Sequence, residues 1–143
     1  MTDVPALSAF PFQSYDKVRY ADTDRQGHIN NANFSTFLET GRVEFLYDGE
    51  KGLALENASF VIAGLQLSFV SEAHWPGQID IGTAVKKIGN SSVTLSQALF
   101  QNERCVATAE TVIVQMDETT RRSKPFSDHA RAFFENAMLN SDA

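Results

Sequence analysis

The feature that most constrains the fold is an apolar stripe at helical spacing within residues 31–47. One glycine and four large apolar residues stand at positions i, i+3, i+4, i+7 and i+11: Phe34, Phe37, Leu38, Gly41 and Phe45. This spacing is typical of one face of an amphipathic α-helix. Only Glu39, Arg42 and Glu44 carry charge in the segment, so we expect protein to cover most of its circumference. The sequence therefore predicts a long, buried helix.

Gly41 lies on this stripe, where a glycine costs about 1 kcal/mol relative to alanine in a helix interior. A glycine on a buried helix face indicates that another backbone approaches closely. We therefore expect tight packing around Gly41.

Apolar residues that recur with a period of two predict long strands after the helix. We place these strands at residues 59–72, 78–89, 91–101 and 104–117, and a short strand at 14–20 before the helix. The segments WPGQ, GN and QNE separate the long strands and are turn or hairpin signals. Successive long strands are therefore predicted to be antiparallel neighbours.

One buried helix followed by long antiparallel strands is an α+β pattern, in which the helix packs on one face of a curved sheet. A turn-like segment at 48–52 follows the helix. From Ser127 a second helical repeat predicts a short C-terminal helix, with Ser127 or Asp128 as its N-cap. We predict a single domain over residues 1–143, with residues 1–11 as a flexible N-terminal segment.

Charge and composition exclude several classes of function. The chain has 12 Lys and Arg against 18 Asp and Glu, a net charge of −6, which argues against a nucleic acid partner. No apolar run approaches the roughly 20 residues that a spanning helix needs, and the N-terminus lacks signal features, so we expect no membrane anchor and a cytoplasmic location.

The cysteine and histidine content predicts neither thiol catalysis nor metal binding. The single Cys105 lies in a predicted strand, which favours a buried structural thiol over a nucleophile. The three histidines, His28, His74 and His129, are scattered along the chain without a metal-ligand pair. We therefore expect no metal site and no cofactor.

The candidate chemistry lies in residues 20–34, YADTDRQGHINNANF, between the first strand and the buried helix. The first N–H groups of a helix lack intrahelical partners and favour negative charge. Asp24 could act as nucleophile or base on a carbonyl held by N–H groups near Asn31, as acyl transfer requires. The alternative, which the residues alone favour, makes Asp22 and Asp24 turn-forming acids and Asn30 the helix N-cap.

The same stretch resembles the signature of hotdog-fold thioesterases of the 4-hydroxybenzoyl-CoA thioesterase family. The residues that carry the similarity are Tyr20, Asp22, Asp24, Gly27, His28, Asn30 or Asn31, Phe34, Leu38, Glu39 and Arg42. The resemblance implies a hotdog fold, in which a curved antiparallel sheet wraps the long helix. It implies that Asp24 is the catalytic carboxylate, that the backbone N–H of Asn31 polarises the thioester carbonyl, and that Gly27 and His28 shape the substrate loop. Phe34 departs from the tyrosine that relatives usually carry.

The activity that the resemblance implies is hydrolysis of an acyl-CoA thioester without metal or cofactor. Glu39 is a second candidate catalyst, because another branch of hotdog thioesterases carries its carboxylate on the helix; its alternative is a salt bridge with Arg42. A hotdog-fold hydratase or dehydratase is a weaker alternative, because His28 follows Asp24 without that motif's spacing or its Asn and Pro. A non-catalytic acyl-CoA binding module also stays open.

The phosphates of CoA require basic groups on this acidic chain. The predicted substrate-binding residues near the strand turns are Lys86, Ser91, Ser92, Arg121 and Arg122. We also expect a homodimer, or a tetramer of two such dimers, because open strand edges and many apolar residues need a partner surface. The resemblance implies that each substrate lies between subunits, with Asp24 of one chain facing Ser91, Ser92 or Lys86 of the other.

Overall fold

A computed structural model describes residues 4–47 and 52–139. Its strands are β1 (Phe12–Lys17), β2 (Ala58–Phe69), β3 (Gln78–Ile88), β4 (Ser92–Gln101) and β5 (Arg104–Asp117). Its helices are α1 (Asn31–Tyr47) and α2 (Asp128–Glu135), and short 3₁₀ turns lie at Leu7–Ala9 and Tyr20–Asp22. Within the described ranges, the five strands form one antiparallel sheet in the order β1-β3-β4-β5-β2.

Helix α1 begins and ends where the sequence predicts, at Asn31 and Tyr47. Its stripe residues Phe34, Phe37 and Leu38 are at most 3% exposed and pack against Ile79, Ile81, Leu99 and Ala107 of the sheet. Phe45 packs in a second cluster toward the other end of the helix. The buried helix and the α+β architecture are therefore confirmed.

Gly41 lies where the helix comes closest to the sheet. A Cβ atom at this position would lie 2.5 Å from Cγ2 of Ile81 and 2.9 Å from Nε2 of Gln97. Gln97 reaches across the interface, since its amide donates to the Leu38 carbonyl at 3.1 Å and to Thr83 Oγ1 at 3.0 Å. The expected tight packing is confirmed, but the prediction that another backbone approaches Gly41 is wrong, because side chains of the sheet make these contacts.

The pairing of the strands differs from the prediction at one place. β3, β4 and β5 are successive antiparallel neighbours as expected, but β2 pairs with β5 and β3 pairs with β1. The WPGQ segment therefore does not close a hairpin. It joins the edge strand β2 to β3, which lies next to the opposite edge strand. A turn signal marks where a strand ends and does not specify its partner, which explains the wrong prediction. The first strand also differs: it covers Phe12–Lys17, and a 3₁₀ turn takes the place of its predicted end.

The chain ends pack against this core. Ser127 caps α2 as predicted, because its Oγ accepts a hydrogen bond from the Ala130 N–H at 3.0 Å. In the N-terminal segment that the sequence predicts to be flexible, Phe10 is 2% exposed and its ring lies over Gly82. The predicted turn at 48–52 lies, apart from Gly52, outside the described residues. None of the helices in the described ranges combines the length and apolarity needed to cross a membrane.

Candidate active site

The loop before α1 is anchored by Asp22, which is 2% exposed. Its carboxylate accepts hydrogen bonds from the backbone N–H and a guanidinium N–H of Arg19, both at 2.8 Å. Burial would raise the pKa of Asp22, but the hydrogen bonds and the charge of Arg19 outweigh it and lower this pKa below its ordinary value. The Asp22 carbonyl accepts from Asn30 N–H at 2.8 Å and from Asn33 Nδ2 at 2.9 Å. Asp22 therefore fixes the loop to the N-terminus of the helix.

Asp24 is exposed and closes a tight turn at the tip of this loop. Its Oδ1 accepts hydrogen bonds from the N–H groups of Gln26 at 2.8 Å and His28 at 3.2 Å, and its own N–H donates to the His28 carbonyl at 2.8 Å. Gly27 adopts a φ of 81°, in the left-handed region that favours glycine. Oδ2 accepts no hydrogen bond within the described residues. One carboxylate oxygen is thus held while the other is free to react.

The first turn of α1 offers a backbone donor beside this carboxylate. Asn30 Oδ1 accepts a hydrogen bond from Ala32 N–H at 3.0 Å, and the Asn30 carbonyl accepts from Asn33 N–H at 2.8 Å, so Asn30 acts as the N-cap. Asn31 is exposed, and its N–H donates no hydrogen bond to the parts of the chain that the structure describes. A carbonyl oxygen can therefore approach an available N–H at the positive end of the helix dipole.

A cavity of about 250 Å³ brings these groups together. Its lining includes Asp24, His28, Asn31, Phe34, Phe69 and Ser71. The rings of Phe34 and Phe69 meet edge to face, with centroids 5.3 Å apart, and form an apolar part of its wall. The cavity therefore pairs a carboxylate and a backbone donor with a surface that suits an apolar group.

The predicted phosphate-binding residues lie elsewhere in the chain. Lys86 forms an ion pair with Glu110, and both line a second cleft on the sheet face that points away from α1. Arg121 and Arg122 are exposed in the turn that follows β5. None of these four residues lines the Asp24 cavity.

Ser91 and Ser92, at the turn between β3 and β4, lie near that arginine turn. The Ser91 carbonyl accepts from Gln115 N–H at 2.9 Å, and Asp117 N–H donates to the Arg122 carbonyl at 2.8 Å. Ser92 and Leu99 are seven residues apart on β4, which corresponds to about 24 Å, and Leu99 packs with the core near the start of α1. One chain therefore does not bring the serines and arginines to Asp24.

The other two candidate residues, Glu39 and Cys105, lie outside the Asp24 cavity. Glu39 is exposed and does not line the cavity, and no ion pair joins it to Arg42 in the described ranges. Cys105 is half-buried in β5, and burial raises the pKa of its thiol, which favours the unreactive protonated form.

The three histidines are scattered along the chain, but the fold brings two of them together, contrary to the expectation that they form no ligand pair. His28 and His74 form an antiparallel β-bridge, and their rings meet with centroids 4.7 Å apart. Glu72 joins them, with its Oε2 at 3.4 Å from Nε2 of His28. No sequence motif signals this cluster, because the loop before α1 and the segment after β2 meet only in the folded chain.

The chain is similar to known proteins in both sequence and structure. A sequence model of the Thioesterase-like superfamily matches residues 18–134. The acyl-CoA thioester hydrolase YbgC of Escherichia coli is 25% identical over 105 residues, which cover 71% of this chain and 78% of that protein. The PA5185 protein from Pseudomonas aeruginosa superposes with a TM-score of 0.84 at 22% identity, over 94% of this chain and 96% of that one. A Thermus thermophilus thioesterase complexed with coenzyme A and Zn has a TM-score of 0.76 at 22% identity, over 90% and 95%.

Proposed function

The chain belongs to the thioesterase-like superfamily and is a thioester hydrolase with the hotdog fold, and from this premise we propose that it cleaves an acyl-CoA with Asp24 as the catalytic carboxylate. One observation carries the proposal. The free oxygen of Asp24 and the available N–H of Asn31 lie on one cavity at the N-terminus of the buried helix.

The proposed chemistry uses these two groups on opposite sides of the thioester. The carbonyl oxygen accepts a hydrogen bond from Asn31 N–H, so negative charge that develops on this oxygen is stabilised by the donor and the helix dipole. Asp24 Oδ2 either attacks the carbonyl carbon or removes a proton from a water molecule that attacks it. The C–S bond then breaks and CoA departs as a thiolate, which needs no acid to leave. In the first route, water hydrolyses the acyl-aspartate and restores the carboxylate. In the second route, Asp24 releases the proton that it took from water to the solvent.

The rest of the substrate would follow the walls of the cavity. The apolar rings of Phe34 and Phe69 suit an acyl chain or an aromatic acyl group. The nucleotide needs cations. Arg25 is exposed beside Asp24, whereas the predicted contacts Arg121 and Arg122 lie at the far end of the sheet within one chain. Arg121 and Arg122 would therefore reach the substrate from a second subunit.

The edge strand β2 supports such a dimer. Within the described residues its one partner strand is β5, and Ile62, Leu65 and Phe69 on it are 50%, 44% and 52% exposed. Exposed apolar residues on an open edge favour pairing with another strand. Asp117, which precedes the arginine turn, pairs with the first residue of β2, whereas Phe69, which lines the Asp24 cavity, is the last residue of β2. Antiparallel pairing of two β2 strands about a two-fold axis would therefore place the arginine turn of the partner subunit beside the Asp24 cavity.

Four of the five predicted substrate-binding residues near the strand turns fit this arrangement more directly than Lys86 does. Arg121 and Arg122 of the partner subunit would meet the nucleotide end of the substrate, and Ser91 and Ser92 lie at the same end of the sheet. Lys86 would first have to leave its ion pair with Glu110 on the other face. A tetramer of two such dimers would use further surfaces and leaves this site unchanged.

Hydrolysis of a panel of acyl-CoA esters tests the proposed reaction. Straight-chain, branched and aromatic acyl-CoAs should release free CoA thiol in amounts stoichiometric with free acid. Binding of an acyl-CoA without thiol release would instead indicate a binding module. Water addition to an enoyl-CoA with the thioester intact would indicate a hydratase.

Hybrid dimers test the shared site. An Asp24→Asn chain and an Arg121→Ala/Arg122→Ala chain should each be weakly active alone with a CoA ester. In an equal mixture that exchanges subunits, half of the dimers are hybrids with one intact site, so activity should recover to about a quarter of the wild-type value. A monomeric mass at full activity, or no recovery despite exchange, would contradict the shared site.

A further inference from the structure

Three potential metal ligands meet at the mouth of the Asp24 cavity. Their ligand atoms, from His28, Glu72 and His74, all lie within 4.8 Å of one another. His28 is half-buried, whereas Glu72 and His74 are exposed, so solvent reaches the cluster. His28 and Glu72 also line the cavity itself. The cluster is thus accessible and adjoins the proposed reaction centre.

Backbone contacts hold the two histidines in place. The bridge between them is extended by the hydrogen bonds from Ile29 N–H to the Ala73 carbonyl at 2.8 Å and from Trp75 N–H to the Gly27 carbonyl at 3.3 Å. These contacts join the substrate loop to the segment after β2. The positions of both imidazoles therefore depend on regular backbone pairing rather than on free loops.

Gln101, at the end of β4, holds the backbone of His74 through two further hydrogen bonds. Its Oε1 accepts a hydrogen bond from His74 N–H at 2.9 Å, and its Nε2 donates to the His74 carbonyl at 2.7 Å. Gln101 is 4% exposed, so this amide is anchored in the core. A residue held by both of its backbone groups presents its side chain from a fixed point.

We propose that His28, Glu72 and His74 form a Zn²⁺ site at the mouth of the cavity. Two imidazole nitrogens and one carboxylate oxygen are a ligand set that zinc binds with a fourth position left open. Zinc bonds of about 2.1 Å place tetrahedral ligands about 3.4 Å apart. The His28 and Glu72 atoms already have this separation, at 3.4 Å, and rotation of the exposed His74 side chain brings in the third ligand.

The site goes beyond the proposed hydrolysis, which uses no metal. A bound ion would fasten the loop that carries Asp24 to the segment after β2, since His28 lies on the first and Glu72 and His74 on the second. Zinc binding should therefore raise the unfolding temperature of the protein. It would also narrow the entrance to the cavity.

Calorimetric titration of zinc chloride into the full chain, without a histidine tag and freed of metal by a chelator, tests the proposal. We expect one zinc ion per chain. His74→Ala and Glu72→Gln should each raise the zinc Kd by about tenfold or more, because each removes one of three ligands. His129→Ala, which changes a histidine of α2, is the matched control and should leave the Kd unchanged.

Cobalt gives a second readout that does not depend on stability. Co²⁺ in the same site should produce the visible absorption of a four-coordinate ion, and both ligand variants should lose it. Circular dichroism of the metal-free variants should match the wild type; if His74→Ala does not fold, Glu72→Gln, which changes an exposed side chain, decides. No zinc binding, an unchanged Kd in the folded ligand variants, or an equal loss in His129→Ala would overturn the site.

Discussion

Replacing Gly41 with alanine should destabilise the protein, although alanine is the better helix former. Alanine gains about 1 kcal/mol over glycine in a helix interior. Against this, the new methyl group would lie 2.5 Å from Ile81 Cγ2 and 2.9 Å from Gln97 Nε2, well inside the ordinary contact distance of about 3.5–4.0 Å. Ile81 is fully buried and its β-branched side chain is stiff, so the strain is not easily relieved.

The expected magnitude follows from these contacts. Overpacking a core by one methyl group typically costs about 1–3 kcal/mol. Displacing the buried amide of Gln97 from the Leu38 carbonyl and Thr83 costs about 1 kcal/mol more. Subtracting the gain in helix propensity leaves a net loss of about 2 kcal/mol in the free energy of unfolding, or about 6 °C in the unfolding temperature of a domain of this size.

Urea unfolding of Gly41→Ala measures this loss. Gly64→Ala in β2 is the matched control, because its added Cβ would meet only Val112 Cγ2 at 4.0 Å; it should change stability by less than about 0.5 kcal/mol. In an Ile81→Ala background, which removes the clashing methyl group, Gly41→Ala should lose most of its effect. A Gly41→Ala protein as stable as the wild type, or an equal effect in both backgrounds, would refute the packing argument.

The remaining predictions concern the loop, the thiol and the phosphate contacts. Asp22→Asn should lower the free energy of unfolding at pH 7 by about 2 kcal/mol. Because folding lowers the pKa of Asp22, its contribution to stability is present above the ordinary carboxyl pKa and is lost as the pH falls through the pKa of the folded state. The stabilities of wild type and variant, measured by urea unfolding, should therefore converge in acid. Cys105, whose thiol pKa is raised by burial, should react with iodoacetamide about tenfold more slowly in the folded than in the urea-unfolded protein, and equal rates would count against its burial. Arg121→Ala and Arg122→Ala should raise KM for a CoA ester more than for a short thioester without the nucleotide, as added salt should; equal losses on both substrates would argue against phosphate binding.

The buried helix could be predicted because its pattern is local. The apolar stripe that includes Gly41 indicates both the helical period and the buried face, and α1 has the predicted bounds. Strand partners could not be predicted in the same way, because a period of two shows which face is buried but not which strand lies alongside. β2 therefore lies beside β5, which is distant in sequence, rather than beside β3.

In the candidate site, too, the features that are local in sequence could be predicted, and those that depend on contacts between distant segments could not. The position of Asp24 between β1 and α1 is local in sequence, and the structure places it on one cavity with Asn31. The pairing of His28 with His74 depends on a bridge between distant segments, so sequence spacing could not reveal it. Likewise, the orientation of Lys86 toward Glu110 follows from the pairing of the strands in the sheet.

Steady-state kinetics of Asp24→Asn with an acyl-CoA substrate test the central claim most directly. The asparagine can still accept the Gln26 and His28 hydrogen bonds at its Oδ1, so the loop should keep its shape while the reactive oxygen is lost. We predict that kcat falls roughly a thousandfold or more with a smaller change in KM, and that Glu39→Gln, which alters an exposed carboxylate outside the cavity, keeps near-normal turnover. Near-normal turnover of Asp24→Asn together with an inactive Glu39→Gln would contradict the account and move the catalytic carboxylate to the helix.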